Sequence, residues 1–529
     1  MPTLLNDHIA HDGAGTAIVD FGGAVTWSRL GERVNRWIDL LTSRGLGPGD
    51  RLACVLGNRR ETFEVLLACL HTGVTVVPVN WHLTEPEIAY ILADSGSRAL
   101  VVEESYAPAA AGAAAHVTDT CPVLLTVGER DGDQGTAGFA AVEPLLAAAS
   151  PAEPAEQTCG CTMLYTSGTT GAPKGVVNGL FMVGAPFSRV AKLAHYARVV
   201  LDVPARERCL LDGPWYHSSQ MFFALLALLQ GCCLVIRRQF DPAATLETID
   251  REQITSVHLV PTQFVRLLRL DEAARRSFSG ASLRRVWHGG GPCSVDVKRR
   301  MIEWWGPALL EYYGATEGGA VTLINSHDWL RRPGSVGRAV PPSEIVIVGE
   351  DGAPLPAGQP GRVFIRRKGG RSFHYHNAPD KTRSAYLAPD TFTYGEVGYL
   401  DEAGFLFLTG RAQDLIVSGG VNVYPAEVEA VLLTHPAVRD AAVIGIADDE
   451  FGERVVGIIE PDAGFLNGTK GTDALAAELD AHCRRSLAGF KSPRLYHFVD
   501  ALPREATGKL RKDVLRGRFA AQLPMGKAS

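Results

Sequence analysis

The chain has 529 residues, of which 46% are hydrophobic and 21% are charged, and its formal net charge is −6. That length exceeds what one hydrophobic core serves, so at least two domains are expected. The composition is typical of a globular protein, and the mildly acidic balance argues against a dedicated binder of nucleic acids or anionic membranes. The most apolar window, 224–236, is shorter than the ~20 residues of a membrane span. The N-terminal segment lacks the features of a signal peptide, so a cytoplasmic protein without an integral membrane segment is expected.

The ten cysteines are scattered along the chain. Their nearest groupings, Cys159/Cys161 and Cys232/Cys233, lack the Cys-x2-Cys spacing of a zinc site. The first pair is interpreted as alternation in a strand and the second as buried small hydrophobic residues. No metal or disulfide role is predicted for the cysteines, since cytosolic thiols stay reduced.

The segment 49–80 has the pattern strand, helix, strand. An apolar run at 51–56 precedes helical periodicity at 61–71, and a β-branched run follows at 74–79. Such a βαβ unit predicts an α/β fold with a sheet that is at least partly parallel. The Ala- and Pro-rich segments 107–115 and 141–154 predict surface helices or connections. Further strands are predicted at 256–260, 284–287, 343–348, 361–366, 438–445, 455–460 and 496–498, and further helices at 261–270 and 474–486.

The segment 165–176 reads Tyr-Thr-Ser-Gly-Thr-Thr-Gly-Ala-Pro-Lys-Gly-Val. Its glycines and hydroxyls make a loop whose backbone N–H groups can approach an anion closely. A surface turn is the commoner outcome for such a composition, but apolar runs flank the loop and Lys174 lies inside it. The loop is not a P-loop, because that motif needs Gly-Lys-Ser/Thr at the start of a helix. A polyphosphate-binding loop is therefore predicted.

This string resembles the phosphate-binding signature of the adenylate-forming superfamily, which includes acyl-CoA synthetases, luciferases and peptide-synthetase adenylation domains. The resemblance extends from about residue 49 to about residue 515, with the motifs in the family's order. It implies a large N-terminal ATP- and acyl-binding domain (1–411) of stacked parallel or mixed sheets with helices and a small β subdomain. A small, mobile α+β C-terminal domain (412–529) would follow as a lid. The implied phosphate ligands are Thr166, Ser167, Gly168, Thr169, Thr170, Gly171 and Lys174.

Two further segments carry the resemblance toward the acid and the adenine. A histidine among aromatic residues, as at 214–219, is more often a core residue, but the family places Pro-x-x-His here. The resemblance implies that His217 closes the tunnel to the acyl site and that Trp215, Phe222 and Phe223 line or border the acid pocket. The segment 288–292 is a glycine turn after a strand. There the resemblance implies that the backbone of Gly289, Gly290 and Gly291 packs against adenine, with His288 at the pocket.

The segment 310–317 matches the family's Tyr-Gly-x-Thr-Glu motif. The match implies that Tyr313 stacks on adenine, Thr316 hydrogen-bonds the α-phosphate and Glu317 holds Mg2+. One carboxylate plus phosphate oxygens is a reasonable ligand set, because Mg2+ keeps several waters. Gly318 and Gly319, just after the motif, are expected to leave space in the acid pocket, and Gly314 is expected at the same pocket.

Two positions depart from the family pattern. Tyr394 and Glu396 stand where Thr-Gly-Asp is usual, and the glutamate keeps the charge of the ribose-binding aspartate but adds one methylene. Ribose binding after a small shift and a nucleotide less well placed for adenylation both stay open. Gln413 falls on the hinge position, which is usually Asp or Lys, so the behaviour of the hinge is in question.

The remaining motifs lie around and beyond the predicted hinge. By resemblance, Arg411 binds ribose and phosphate, and Gly419 and Gly420 line the pantetheine tunnel. A lone lysine near a chain end is ordinarily a solvated surface charge. Lys509, however, lies in a string that resembles the family's C-terminal lysine motif, which implies that it reaches the α-phosphate during adenylation.

The resemblance predicts an acid:CoA ligase that uses ATP, Mg2+ and coenzyme A, releases pyrophosphate and AMP, and takes a fatty, aromatic or other bulky apolar acid. A ligase that mainly transfers a supplied acyl-adenylate to CoA stays open because of Glu396 and Gln413. Loading of a carrier protein also stays open, as does a homodimer. A luciferase-like oxygenase has no supporting feature. A nucleotide-binding relic is disfavoured, since the motif residues are retained.

Overall fold

The structure is a computed structural model that describes residues 3–128, 138–166, 173–179, 181–368, 372–411, 414–418, 421–448, 452–462, 471–505, 508 and 510–520. The helices in these residues are α1 (Asn6–Asp12), α2 (Trp27–Ser43), α3 (Arg60–Thr72), α4 (Glu85–Ser95), α5 (Ala107–Ala115), α6 (Val142–Ala148), α7 (Phe187–Val200), α8 (Ser218–Leu229), α9 (Pro242–Arg251), α10 (Pro261–Leu268), α11 (Glu272–Ser277), α12 (Val295–Trp305), α13 (Ser326–Arg331), α14 (Pro379–Ser384), α15 (Pro425–Leu432), α16 (Thr472–Ser486) and α17 (Lys512–Ala520).

The strands, again in chain order, are β1 (Thr16–Asp20), β2 (Gly23–Thr26), β3 (Arg51–Val55), β4 (Thr75–Pro78), β5 (Ala99–Glu103), β6 (Val123–Val127), β7 (Ala140–Ala141), β8 (Cys161–Thr166), β9 (Lys174–Asn178), β10 (Arg208–Leu211), β11 (Cys233–Ile236), β12 (Ser256–Leu259), β13 (Arg285–His288), β14 (Leu309–Ala315), β15 (Gly319–Asn325), β16 (Ser335–Ala339), β17 (Ser343–Val348), β18 (Gly361–Arg367), β19 (Phe373–Tyr375), β20 (Tyr386–Ala388), β21 (Thr391–Phe392), β22 (Glu396–Leu400), β23 (Phe405–Arg411), β24 (Ile416–Ser418), β25 (Val421–Val423), β26 (Val438–Asp448), β27 (Gly452–Pro461) and β28 (Leu495–Phe498).

Within the described residues these strands form three sheets. The first sheet has the order β2-β1-β11-β10-β12-β13-β14-β15-β16-β23-β22-β18-β21-β20, with β17 on β18. The second sheet has the order β19-β9-β8-β4-β3-β5-β6-β7, and the third has β25-β24-β27-β26 with β28 on β27. The fold is therefore α/β, with a large N-terminal part built on two sheets and a small C-terminal part built on one.

The early βαβ unit is confirmed and supplies the centre of the second sheet. Strands β3 and β4 run parallel, with Leu52 opposite Val76. The connecting helix α3 is buried from Thr62 to Thr72, because it packs between layers rather than on one face. This unit fixes the edge at which the predicted phosphate loop emerges, since β8 pairs with β4.

The helix predicted at 107–115 is present as α5. Its inner face is formed by Ala107, Ala110 and Ala113, which are fully buried, while Pro108 and Ala115 are exposed. Alanine side chains are short, so a helix with an alanine face can approach its neighbours closely and bury that face.

The third sheet has a core on each of its faces. Val443, Val455 and Ile459 pack with α15 and α16 on one face, whereas Ile444 and Val456 pack with α17 on the other. This alternation is the period-two pattern of strands covered on both sides. The strands predicted at 438–445, 455–460 and 496–498 are confirmed, while the domain boundary at 411/412 stays a prediction. No helix among the described residues is long and apolar enough to cross a membrane.

Several imidazoles are buried in the N-terminal part. Burial lowers the pKa of His258 to about 3 and that of His71 to about 4. His258 accepts a hydrogen bond at Nδ1 from the Gln220 amide over 2.9 Å. These rings are therefore neutral in the folded protein at physiological pH.

The stability contribution of His71 should depend on pH in a defined direction. Below pH 6.5 the unfolded chain protonates this ring while the folded chain does not, so its contribution to stability is lost as the pH falls toward 4. We expect the free-energy cost of His71→Gln in urea denaturation to shrink by about 1.4 kcal/mol per pH unit across that range. A cost for His71→Gln that did not change with pH would contradict the assignment.

Candidate active site

The predicted phosphate loop is the tip of a β-hairpin. Strands β8 and β9 pair antiparallel, with Thr166 opposite Lys174. The base of the hairpin is held by α4, because the Tyr165 hydroxyl donates to Asp94 Oδ2 over 2.6 Å and the Tyr90 hydroxyl donates to the Pro173 carbonyl over 3.1 Å. The tip lies outside the described residues, so the phosphate-binding roles of Ser167, Gly168, Thr169, Thr170 and Gly171 stay predictions.

The turn between β14 and β15 meets this hairpin. Asn178, at the end of β9, donates from its side-chain amide to the Thr316 carbonyl over 3.2 Å. The hydroxyls of Thr316 and Ser218 share a hydrogen bond of 3.0 Å. The Tyr375 hydroxyl donates to Glu317 Oε1 over 2.9 Å. The structure thus brings the motif residues of 316–317 to the hairpin that carries Lys174.

The neighbouring groups shift the pKa of the Lys174 ammonium group. Partial burial lowers its pKa and the nearby Lys381 lowers it further, while Glu317 acts in the opposite direction. A lysine in such a place gains from an added anion, because the anion replaces the solvation that the ammonium has lost. Lys174 is accordingly suited to a phosphate group.

A second cluster forms where adenine and ribose are expected. The Tyr313 hydroxyl donates to Glu396 Oε2 over 2.7 Å, and the Tyr394 ring stands edge-on to Tyr313 at 5.6 Å. Glu396 is opposite Arg411 in the β22–β23 pairing. The longer carboxylate at 396 therefore reaches the tyrosine that is predicted to stack on adenine, next to the backbone of the predicted ribose-binding arginine.

The glycine turn after β13 borders a large cavity. A Cβ at Gly289 would lie 2.7 Å from the Tyr312 carbonyl oxygen, so only glycine permits this approach to β14. The cavity has a volume of about 1260 Å³, and its walls include Gly290, Gly291, Tyr313 and Glu396. Its opposite wall comes from the C-terminal part. A nucleotide fits in this volume.

Three residues predicted at the acid pocket are buried, and their place beside that pocket stays a prediction. Trp215 is fully buried and its indole N–H donates to the Leu56 carbonyl over 2.6 Å. Phe223 is buried with its ring stacked 4.8 Å from Trp287. His288 is fully buried beside Phe264. Sequence position alone does not separate a buried core side chain from a pocket wall, because both environments favour aromatic residues.

The two small residues of the motif also have packing roles. A Cβ at Gly314 would clash with the Gly319 carbonyl, and one at Gly318 would clash with the Tyr394 hydroxyl and lie 3.0 Å from the Phe392 ring. Their missing side chains allow close packing rather than leaving open space for an acid. Phe222, in contrast, is half-buried and keeps its predicted place at the acid pocket as a prediction.

His217 begins the predicted tunnel region. It precedes α8, and its ring lies 4.4 Å from that of Tyr216, which meets Trp81 edge-on at 4.6 Å. Burial lowers the pKa of His217 to about 3, so the ring is neutral. Its Nε2 has no hydrogen-bond partner among the described residues. A neutral, aromatic-flanked imidazole suits a gate for an apolar tail, and that role stays a prediction.

The C-terminal lysine motif faces the N-terminal part. Lys509 lies outside the described residues, but its neighbour Gly508 has φ +80° and packs against the Thr262 side chain of α10. Arg504 donates to the Gly508 carbonyl over 2.6 Å. A second link between the two parts is the bond from Arg269 to the Arg439 carbonyl, 2.5 Å long. Gln413, Gly419 and Gly420 also fall outside the described residues, so their roles stay predictions.

The donor set at this site fits a weakly caged cation. Glu317 supplies one carboxylate, and within the described ranges no group of three His, Cys, Asp or Glu side chains could hold a metal ion. Mg2+ bound mainly by phosphate oxygens and waters, with one protein carboxylate, matches that set.

Comparison with known proteins agrees with this geometry. The family model described as AMP-binding enzyme matches residues 5–370, and that of the AMP-binding enzyme C-terminal domain matches 427–509. The chain is 31% identical over 511 residues to the long-chain-fatty-acid–CoA ligase FadD13 of Mycobacterium tuberculosis, covering 94% of each chain. It is 32% identical over 516 residues to a feruloyl-CoA synthase of Amycolatopsis sp, covering 95% of this chain and 96% of that one.

A solved structure supports the same conclusion. The fold matches that of ATP-bound MatB from Rhodopseudomonas palustris with a TM-score of 0.82 and 28% identity, over 98% of each chain. The chain belongs to the AMP-binding enzyme family, the adenylate-forming superfamily that its motifs resemble. Within that family it is an ATP-dependent, AMP-forming acid–thiol ligase of the acyl-CoA synthetase type.

Three contacts at this site come from residues that the sequence analysis did not select, namely Asn178, Ser218 and Tyr375. Ser218 follows His217 directly and begins α8, so the polar start of an apolar helix was an available signal. Tyr375 lies in a segment of aromatic residues and histidines at 373–376. No spacing rule connects that segment with Glu317, because the contact depends on the pairing of β19 with β9.

The Tyr313–Glu396 hydrogen bond should matter for nucleotide binding. Glu396→Asp shortens the carboxylate arm and breaks this bond, so we expect the Kd for ATP to rise about tenfold, the size typical of a lost bond to a charged group. Calorimetric titration would measure it, and the change should have little effect in a Tyr313→Phe background. Tighter ATP binding by Glu396→Asp would show that the glutamate hinders the nucleotide.

The packing of Gly508 on Thr262 should be needed for adenylation. Gly508→Ala strains a positive φ and clashes with Thr262, so we expect adenylation to fall more than about tenfold. Thioester formation from a supplied acyl-adenylate should change little, since the predicted rotation removes this contact. Gly517→Ala, where an added Cβ meets nothing within 4 Å, is the matched control. Equal loss of both half-reactions would contradict this view.

Proposed function

We propose that this chain activates an apolar carboxylic acid with ATP and transfers the acyl group to CoA, with both half-reactions on the same chain. The observation that carries the proposal is that Lys174, Thr316 and Glu317 come together beside the β8–β9 hairpin. The cluster of Tyr313 and Glu396 beside the large cavity supports a nucleotide next to it.

In the first half-reaction the protein mainly offsets the repulsion between negative charges and need not form a covalent bond with the substrate. A carboxylate is a poor acyl donor because oxide would have to leave. Attack of the carboxylate oxygen on the α-phosphorus releases pyrophosphate and leaves an acyl-adenylate, whose leaving group is AMP. The protein must align two anions and offset their repulsion, which positioning and cationic side chains achieve.

In our proposal the side chains divide this task. Lys174 and the hairpin tip bind the β- and γ-phosphates, while Thr316 donates to the α-phosphate. Lys509 neutralises charge on the α-phosphate as the pyrophosphate leaves. Mg2+, when bound at Glu317 and the phosphates, supplies further Lewis-acid neutralisation.

The second half-reaction transfers the acyl group from AMP to the thiol of CoA. The cavity between the two parts of the chain supports a rotation of the C-terminal part about residue 413, because its walls come from both sides. That rotation would withdraw Lys509 and bring Gly419 and Gly420 to the pantetheine tunnel. The boundary between 1–411 and 412–529 belongs to the same proposal.

An apolar acid is favoured by the residues near the predicted gate. His217 is neutral, and the rings of Tyr216 and Trp81 give this region an aromatic surface. Such walls favour a fatty or aromatic tail over a charged one. The names of the relatives, a long-chain-fatty-acid ligase and a feruloyl-CoA synthase, support the same range.

One contact argues against the alternative that the chain only transfers a supplied acyl-adenylate to CoA. The Tyr313 hydroxyl donates to Glu396 over 2.7 Å, so the glutamate that replaces the family's aspartate has its own hydrogen-bond partner. An assay that supplies either a carrier protein or CoA as the acceptor distinguishes loading of a carrier protein from CoA ligation.

We also propose a cytoplasmic location, which the ten free cysteines support. Light scattering would measure whether the protein is a homodimer.

The deciding experiment follows the two half-reactions separately. Pyrophosphate release from Mg·ATP would be measured across fatty, aromatic and polycyclic acids, and thioester formation from synthetic acyl-adenylates by mass spectrometry. We expect both signals with CoA, and we expect Lys509→Ala to lower the first more than about 100-fold while sparing the second. Thioester without pyrophosphate release from any acid would instead support transfer of a supplied adenylate. Acylation of a carrier protein but not of CoA would identify the other acceptor.

A further inference from the structure

A short strand from the β subdomain extends the sheet that carries the phosphate hairpin. Strand β19 pairs antiparallel with β9, with Tyr375 opposite Val176. Side chains opposite each other in such a pair share a face of the sheet, and so do residues two apart on one strand. Tyr375 therefore lies on the same face as Lys174, at a diagonal position.

The Tyr375 side chain contacts two groups that the proposed function needs. Its hydroxyl donates to Glu317 Oε1 over 2.9 Å, and the Lys174 Nζ lies 5.3 Å from the centroid of its ring. The negative face of an aromatic ring attracts an ammonium group at this range. Tyr375 thus holds the lysine with its ring and the carboxylate with its hydroxyl.

The contacts of Tyr375 take the place of a direct ion pair between the lysine and the carboxylate. In the described part of the chain no ion pair within 4.0 Å joins Lys174 to Glu317. A direct pair would neutralise both groups and compete with phosphate for the lysine and with a cation for the carboxylate.

We propose that Tyr375 is a positioning residue for adenylation, which keeps Lys174 and Glu317 apart and directs both toward the same Mg·polyphosphate. This inference rests on the proposed function, in which Lys174 binds phosphate and Glu317 binds Mg2+. The hydroxyl serves the carboxylate and the ring serves the lysine. Removal of each should therefore have a different signature.

The test measures nucleotide binding by calorimetry, without any acid. For Tyr375→Phe, which keeps the ring, we expect the Kd of Mg·ATP to rise about tenfold and that of ATP in EDTA to stay within about twofold. For Tyr375→Leu, which removes the ring as well, we expect the affinity for ATP in EDTA to fall too, because Lys174 loses its contact. Thioester formation from a supplied acyl-adenylate should be unchanged in both variants.

The matched control is Tyr386→Phe. That hydroxyl donates to the Phe373 carbonyl over 2.9 Å and accepts from the Phe373 N–H over 3.0 Å, so it supports the same strand. Wild-type affinity of Tyr375→Phe for Mg·ATP, or an equal loss in Tyr386→Phe, would overturn the inference, as would equal loss of both half-reactions. Wild-type protein that bound no Mg·ATP would instead overturn the proposed function, so the two failures are distinguishable.

Discussion

The hydrogen bond from the Asn178 amide to the Thr316 carbonyl joins the second sheet to the first. The phosphate hairpin belongs to one sheet and the Thr-Glu motif to the other, so no property of either sheet alone fixes their distance. Because the Asn178 side chain spans the gap, its hydrogen bond fixes the distance between the two sheets at this point to the length of one side chain. Ser218 and Tyr375 add bonds to the same turn. In the proposed function a polyphosphate contacts both sheets at once, and these bonds hold its binding site in place before it arrives.

Local pattern was sufficient for several of the elements. The strand, helix, strand order at 49–80 and the strands at 343–348 and 361–366 follow from their periodicity, and the structure has them. Position relative to the core was not available from the same pattern. Trp215 and Phe223 are apolar residues in a motif, and only tertiary packing decides that they face the core.

Glu396 shows a second limit of prediction from sequence. Comparison with the family's aspartate shows only that the side chain is one methylene longer, and it leaves open whether the carboxylate still binds ribose. The structure shows a partner instead, since the Tyr313 hydroxyl meets the longer arm. Strands β14 and β22 are far apart in sequence, so no spacing rule links these two residues. Contacts of this kind can be predicted only when the order of the strands in the sheet is known. The contact of Tyr375 with Glu317 could not be predicted from the sequence for the same reason.

The two cores of the third sheet have an energetic consequence. Because helices of the C-terminal part cover both faces of that sheet, its apolar surface is already buried within itself. The walls of the cavity between the two parts can then be rich in charge, and they include Arg266, Arg269, Arg439, Asp440, Arg504 and Glu505. In the proposed rotation, many of the contacts that break at this boundary are polar or charged, and water can replace them. In that proposal the ligand that occupies the cavity selects one orientation over another.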